Sequence, residues 1–283
     1  MRYSWGALEL HTGDGRAPVM APLSPGNVRD DECWNVVGST AMSSNMPELP
    51  PHLRPFVLPH EAVEPARSGE LDLYLPASTP APAVLLVHGG PVPRDREVRP
   101  PQWPAYRGYG ALLARTGIVG AMFEHGFVDD RALGAAHENI RRAAAALRAD
   151  PRVDPDRVGM WFFSAGGIFM GSVLADPPAW GVAAVAGTYA APAAPGVDDP
   201  GLPPAAITAE LSDIPLLLVM PEKDFEGIVA ASTEMLERCA TEGRTVGVIE
   251  VPGGHHGFET VDDTDEARDA IRRSIAWWGQ ALR

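Results

Sequence analysis

From about residue 70 to the C-terminus, apolar positions switch between two periods. Leu71-Asp72-Leu73-Tyr74-Leu75 alternates apolar and polar side chains, the two-residue period of a half-covered strand. Residues 83–87 are continuously apolar, as a central strand covered on both faces requires. Helical spacing follows at 109–115, a strand at 118–123, and a long helix at 130–149 with Leu133, Ala136, Ile140, Ala144 and Leu147 on one face. Further strands are predicted at 158–163, 182–186, 216–220 and 246–251, with helices at 168–174 and 227–239. A last helix starts at an Asp263/Thr264 cap with Glu266 in its first turn, and carries Ala267, Ile271, Ile275, Trp278 and Leu282 on one stripe. Strands alternating with helices predict an α/β fold, with a mainly parallel central sheet and helices on both faces.

Residues 1–54 lack this order. They are rich in Gly, Pro, Ser and Asn, end in Pro-Glu-Leu-Pro-Pro, and hold one short strand candidate at 34–37. They read as an irregular extension ahead of a single domain at 55–283. Trp5, Trp34, Met42 and Met46 are the apolar side chains that a flap over the site would use.

Net charge is −14, which argues against nucleic-acid and anionic-membrane partners. No apolar run has the length of a membrane span, and the first 20 residues lack an apolar stretch after a basic one, so a cytoplasmic location is expected. The two cysteines, Cys33 and Cys239, show neither a disulfide framework nor metal spacing, and Cys239 falls on the apolar stripe of its helix.

In a parallel α/β sheet, functional groups collect in the loops after the strands' C-terminal ends. Ser164 follows the strand at 158–163, in Phe162-Phe163-Ser164-Ala165-Gly166-Gly167. A serine at a sharp strand-to-helix turn is normally written G-x-S-x-G, and here Phe162 occupies the first glycine's place. Pro221-Glu222-Lys223-Asp224 follows the strand at 216–220, offering two carboxylates, and Gly253-Gly254-His255-His256-Gly257-Phe258 follows the strand at 246–251, offering two imidazoles. A serine hydroxyl is a poor nucleophile until an imidazole takes its proton, and the imidazole needs an acid on its other nitrogen. His88-Gly89-Gly90 follows the strand at 83–87; Gly89 or Gly90 could turn an amide toward a developing oxyanion, with the Ala165 amide as second donor. Pro91 has no N–H to give.

The order serine, acid, histidine is that of α/β-hydrolase triads. With His88-Gly89-Gly90-Pro91, the lead-in Asp154-Pro155-Asp156-Arg157-Val158-Gly159, Ser164-Ala165-Gly166-Gly167, Lys223-Asp224 and His255-His256-Gly257-Phe258, residues from about 80 to 283 resemble the α/β-hydrolase superfamily, most closely its dienelactone-hydrolase-like branch. The resemblance implies Ser164 as nucleophile, Asp224 as acid and His256 as base. The best-known dienelactone hydrolases use a cysteine nucleophile; a serine here shifts expectation toward ordinary esters or thioesters.

Phe162, Phe163 and Met122 are candidates for an apolar acyl pocket, and Glu124, His125 and His255 are further candidates for its lining. The adjacent histidines find no Cys or carboxylate cluster to complete a metal site, and neither metal nor cofactor is expected. The expected partner is a small acyl substrate. The expected function is hydrolysis of a carboxylic ester, lactone or thioester. The alternative is the same fold reused without hydrolysis, as a binding or scaffold protein, or as a cyclase or isomerase, with Phe162 or a capped pocket that excludes water as the reason.

Overall fold

The apolar runs collect into one sheet. In the computed structural model, which describes residues 49–193, 201–208 and 213–283, the strands are β1 (Ala66–Ser68), β2 (Leu71–Tyr74), β3 (Ala81–Val87), β4 (Val119–Met122), β5 (Val153–Phe163), β6 (Ala184–Thr188), β7 (Leu216–Lys223) and β8 (Gly247–His255). Their spatial order is β1-β2-β4-β3-β5-β6-β7-β8. The β1–β2 and β2–β4 pairs are antiparallel and every later pair is parallel, giving the mainly parallel sheet expected. The helices are α1 (Pro104–Arg115), α2 (Leu133–Ala149), α3 (Met170–Ala175), α4 (Pro177–Trp180), α5 (Ala205–Thr208), α6 (Glu226–Thr241), α7 (Phe258–Val261) and α8 (Asp265–Ala281).

Two cores result. Alternate residues of β5 supply both: Val158, Met160 and Phe162 join α2, α3 and α6 on one face, while Trp161 and Phe163 join α1 and α8 on the other. Each fully buried side chain of this size contributes about 1.5–3 kcal/mol. Trp278 of α8 packs on β5, where a Cβ at Gly159 would come within 2.2 Å of its ring.

Several elements differ from expectation at their ends. β5 starts five residues early, because Asp154-Pro155-Asp156 reads as a turn but is carried past β3 by a register shift between the Ala81–Val153 and Ala83–Val158 pairs. β8 likewise runs through Gly253 and Gly254 to His255, across an irregularity opposite Pro221. The helix expected at 168–174 begins as a 3₁₀ segment, Ser164–Phe169, and only then becomes α3. β1 and α7 are too short to carry a period and were not expected. The Thr264 hydroxyl accepts from the Ala267 N–H at 3.2 Å, capping α8 where the sequence indicated.

Glu48–Arg283 forms one compact unit, and the 3₁₀ turn Pro51–Leu53 falls within it, a few residues ahead of the boundary expected at 54. The strand candidate at 34–37, Cys33 and the flap residues Trp5, Trp34, Met42 and Met46 lie outside the described residues. Cys239 is a buried free thiol on α6. Among the described residues, no helix is long and apolar enough to cross a membrane.

Candidate active site

Ser164 sits one residue past β5 with φ of 50°, a left-handed conformation that costs a non-glycine residue of order 1 kcal/mol or more. Crowding on the following turn holds it there. A Cβ at Gly166 would lie 2.5 Å from the His88 carbonyl oxygen and 2.8 Å from that of Val87, so only glycine lets the turn pack against β3. In the place of the motif's first glycine a ring is turned into the core. Phe162 is fully buried and pairs across the sheet with Gly187 of β6, where a Cβ would meet Ala190, Leu218 and Met170 at 3.0–3.4 Å.

The other two groups emerge together from the neighbouring strand ends. Lys223 of β7 pairs with His255 of β8, so the next residues, Asp224 and His256, leave the sheet side by side. The His256 Nε2 lies 2.8 Å from the Ser164 Oγ, and its Nδ1 lies 2.7 Å from the Asp224 Oδ1. The Asp224 side chain is only 2% exposed, so little water competes for its oxygens. The same Oδ1 accepts from the Phe225 N–H at 2.7 Å, which fixes the carboxylate toward His256. The Phe225 and Tyr189 rings lie against the imidazole at centroid distances of 4.7 and 4.5 Å. His255 points elsewhere: its ring and backbone N–H both bond Asp262, which separates it from His256 as a chelating partner or pocket residue.

The loop after β3 approaches the serine closely. A Cβ on Gly89 would be 2.8 Å from the Ser164 Cβ. The Gly89 N–H donates to the Tyr106 hydroxyl at 3.1 Å, so Gly90 and Ala165 are the backbone donors left for an anion. His88 and His125 brace this loop from beneath. They are fully buried and stacked, with ring centroids 3.5 Å apart. The His125 Nε2–H donates to the His88 carbonyl at 2.9 Å, and the His88 Nδ1 bonds the Gly89 carbonyl. Burial lowers both imidazole pKa values, that of His125 to about 4, so neutral rings fill this space.

The acyl-pocket candidates lie elsewhere than expected. Phe162 is in one core, and Phe163 and Met122 are in the other; all three are fully buried. Periodicity at a strand's end does not say whether a ring faces an opening or the core. Glu124 is drawn into an ion pair with Arg99, which also bonds the Pro93 carbonyl, and so holds the 93–102 loop. His125 belongs to the loop brace just described. A cavity of about 280 Å³ lies beside Asp224, between the ends of β6–β8 and α6, with Ala190, Leu218, Met220, Ile228 and Val229 among its lining residues; Ser164 and His256 do not line it. Tyr106, Tyr189 and Phe225 were not singled out from the sequence. An aromatic residue directly after Asp224 was the one available signal, and it pointed to Phe225 alone.

No protein-family model matches the chain, and no curated protein sequence matches it. Solved structures share its architecture. Carboxyl esterase 2 from the mycorrhizal fungus Tuber melanosporum is 21% identical, covering 75% of this chain and 82% of that one, with a TM-score of 0.62. Dienelactone hydrolase from Anabaena variabilis is 19% identical, covering 80% and 99%, with a TM-score of 0.56. Acylaminoacyl peptidase from Pyrococcus horikoshii is 16% identical, covering 78% and 42%, with a TM-score of 0.62. The chain spans only 33–42% of the peptidase chains it resembles. At such identities the likeness defines the fold, and the chain has the α/β-hydrolase fold.

Proposed function

We propose that the protein is a serine hydrolase that cleaves a carboxylic ester, lactone or thioester through an acyl-enzyme on Ser164. The observation that carries this reading is the unbroken chain from the Ser164 hydroxyl through His256 to the covered Asp224, with bonds of 2.8 and 2.7 Å. The Ser164 oxygen attacks the substrate carbonyl while His256 Nε2 takes its proton. Asp224 keeps the imidazole proton on Nδ1 and stabilises the imidazolium as it forms. The Gly90 and Ala165 amides are the donors we assign to the developing oxyanion. Collapse breaks the bond to the leaving alkoxide or thiolate, which takes its proton from His256. Water, deprotonated by the same imidazole, then releases the acid and frees Ser164. No cofactor enters these steps.

The alternative, a fold reused without hydrolysis, drew on Phe162. With that ring in the core opposite Gly187 and the serine still bonded to His256, hydrolysis is favoured. Initial rates on p-nitrophenyl acetate, a small lactone, an acyl thioester and an acyl p-nitroanilide test the reading. We expect turnover of at least one oxygen or thioester, weak or no cleavage of the anilide, and loss of all turnover in Ser164→Ala. Full activity in folded Ser164→Ala would remove the serine from the mechanism, and preferred cleavage of the anilide would move the enzyme to the peptidases.

A further inference from the structure

Behind the imidazole lies a second buried acid that the steps above do not use. Glu259 sits on α7, three residues after His256, and is 3% exposed. One carboxyl oxygen bonds the Tyr189 hydroxyl; the other is buried with no partner among the described residues. Tyr189 itself is strained, with φ of 37°, and its ring packs against His256. A buried carboxyl and a left-handed tyrosine are each costly, and this chain carries both in contact where one ring walls the imidazole. The backbone ties the same parts together. Gly257, with φ of 75°, turns the chain from His256 into α7, and the Glu259 carbonyl accepts from the Val57 N–H at 2.9 Å.

We propose that Glu259 is a positioning residue for His256: its carboxyl fixes Tyr189, and Tyr189 with Phe225 holds the imidazole between two rings in line with Ser164. The inference rests on the serine-hydrolase reading. The groups that act on this carboxyl are Tyr189, Tyr106 and Tyr109 from α1, and Asp262, which is itself bonded to His255. Burial pushes the Glu259 carboxyl up to about 7, so near neutrality much of it is protonated and the imidazole meets little added charge.

The test reads the imidazole and the serine separately in Tyr189→Phe, Glu259→Ala and Glu259→Gln. Tyr189→Phe keeps the ring and removes only its bond to Glu259, while Glu259→Gln can still accept from the hydroxyl. In Tyr189→Phe and Glu259→Ala, the His256 ring resonances should shift, and labelling of Ser164 by an alkylphosphonate fluoride should slow about tenfold. Glu259→Gln should recover most of the rate. If Glu259→Ala does not fold, the other two variants decide. Wild-type resonances and labelling rates in folded Tyr189→Phe, or a lowered Tm with neither readout moved, would overturn the proposal. If the wild-type serine is not labelled at all, the hydrolase reading fails, while the His256 resonances still report on positioning without turnover.

Discussion

The end of β5 and the paired ends of β7 and β8 bring reactive groups together by different physical means. At β5 the constraint is steric: Ser164 is left-handed, Phe162 is fully buried in one core, and Gly166 lies against two carbonyls of β3 and its loop. At β7 and β8 the constraint is register and hydrogen bonding. Lys223 opposite His255 sets Asp224 and His256 abreast, and the Phe225 N–H, Glu259 and Tyr189 then aim them. A close-packed turn tolerates little change in volume, whereas a hydrogen-bonded arm can lose its aim and keep its fold. Substitutions at the first region should therefore be felt as stability, with activity following only where the turn itself moves, and at the second as rate with stability kept.

The largest effect is expected at the arm. Asp224→Asn should lower kcat by about 10⁴-fold with the thermal midpoint nearly unchanged, since the wrong imidazole tautomer is then favoured. Kinetics and melting on the same preparation measure both. Next, Phe162→Ala should cost about 3–5 kcal/mol in urea unfolding, while the folded fraction keeps its specific activity. An equal loss of activity per folded molecule would show that the ring shapes the turn as well as the core.

A third contrast lies in pH. The Glu259 carboxyl is raised from 4.5 to about 7 in the folded protein, so the folded state holds this proton more tightly than the unfolded chain does. That stabilisation is fully present below about pH 4.5 and is lost as the pH rises through about 7, a swing of order 3 kcal/mol. Denaturation midpoints should therefore fall over this window in the wild type and fall less in Glu259→Gln. Smallest in free energy is Gly166→Ala, at about 1–3 kcal/mol. It should lower activity together with stability, because the His88 carbonyl it displaces carries the loop with the Gly90 donor. A loss of activity with stability unchanged would break the contrast between the regions.

The sheet was legible because strands such as β3 and the core half of β5 are long apolar runs, which periodicity detects directly. So were Ser164, directly after such a run, and Asp224 and His256, a few residues past their predicted strands, in an order the resemblance makes specific. What stayed hidden depends on the third dimension. β5's early start and β8's passage through two glycines come from register shifts that local propensity opposes. Phe162 and Phe163 face opposite cores, a fact about two packed faces and not about their own motif. Glu259, between Phe258 and Thr260, looks like an ordinary exposed helix glutamate. Tyr189 and Tyr106, which bond it and the Gly89 loop, are distant in sequence and carry no motif.

In the proposed mechanism Ser164 is a nucleophile activated by His256 and Asp224. Intact mass and peptide mapping after exposure to an alkylphosphonate fluoride test it most directly. One adduct is expected, on the peptide containing Ser164, absent in Ser164→Ala and formed far more slowly in His256→Ala. No adduct on folded wild-type protein, or an adduct that persists unchanged in Ser164→Ala, would contradict it.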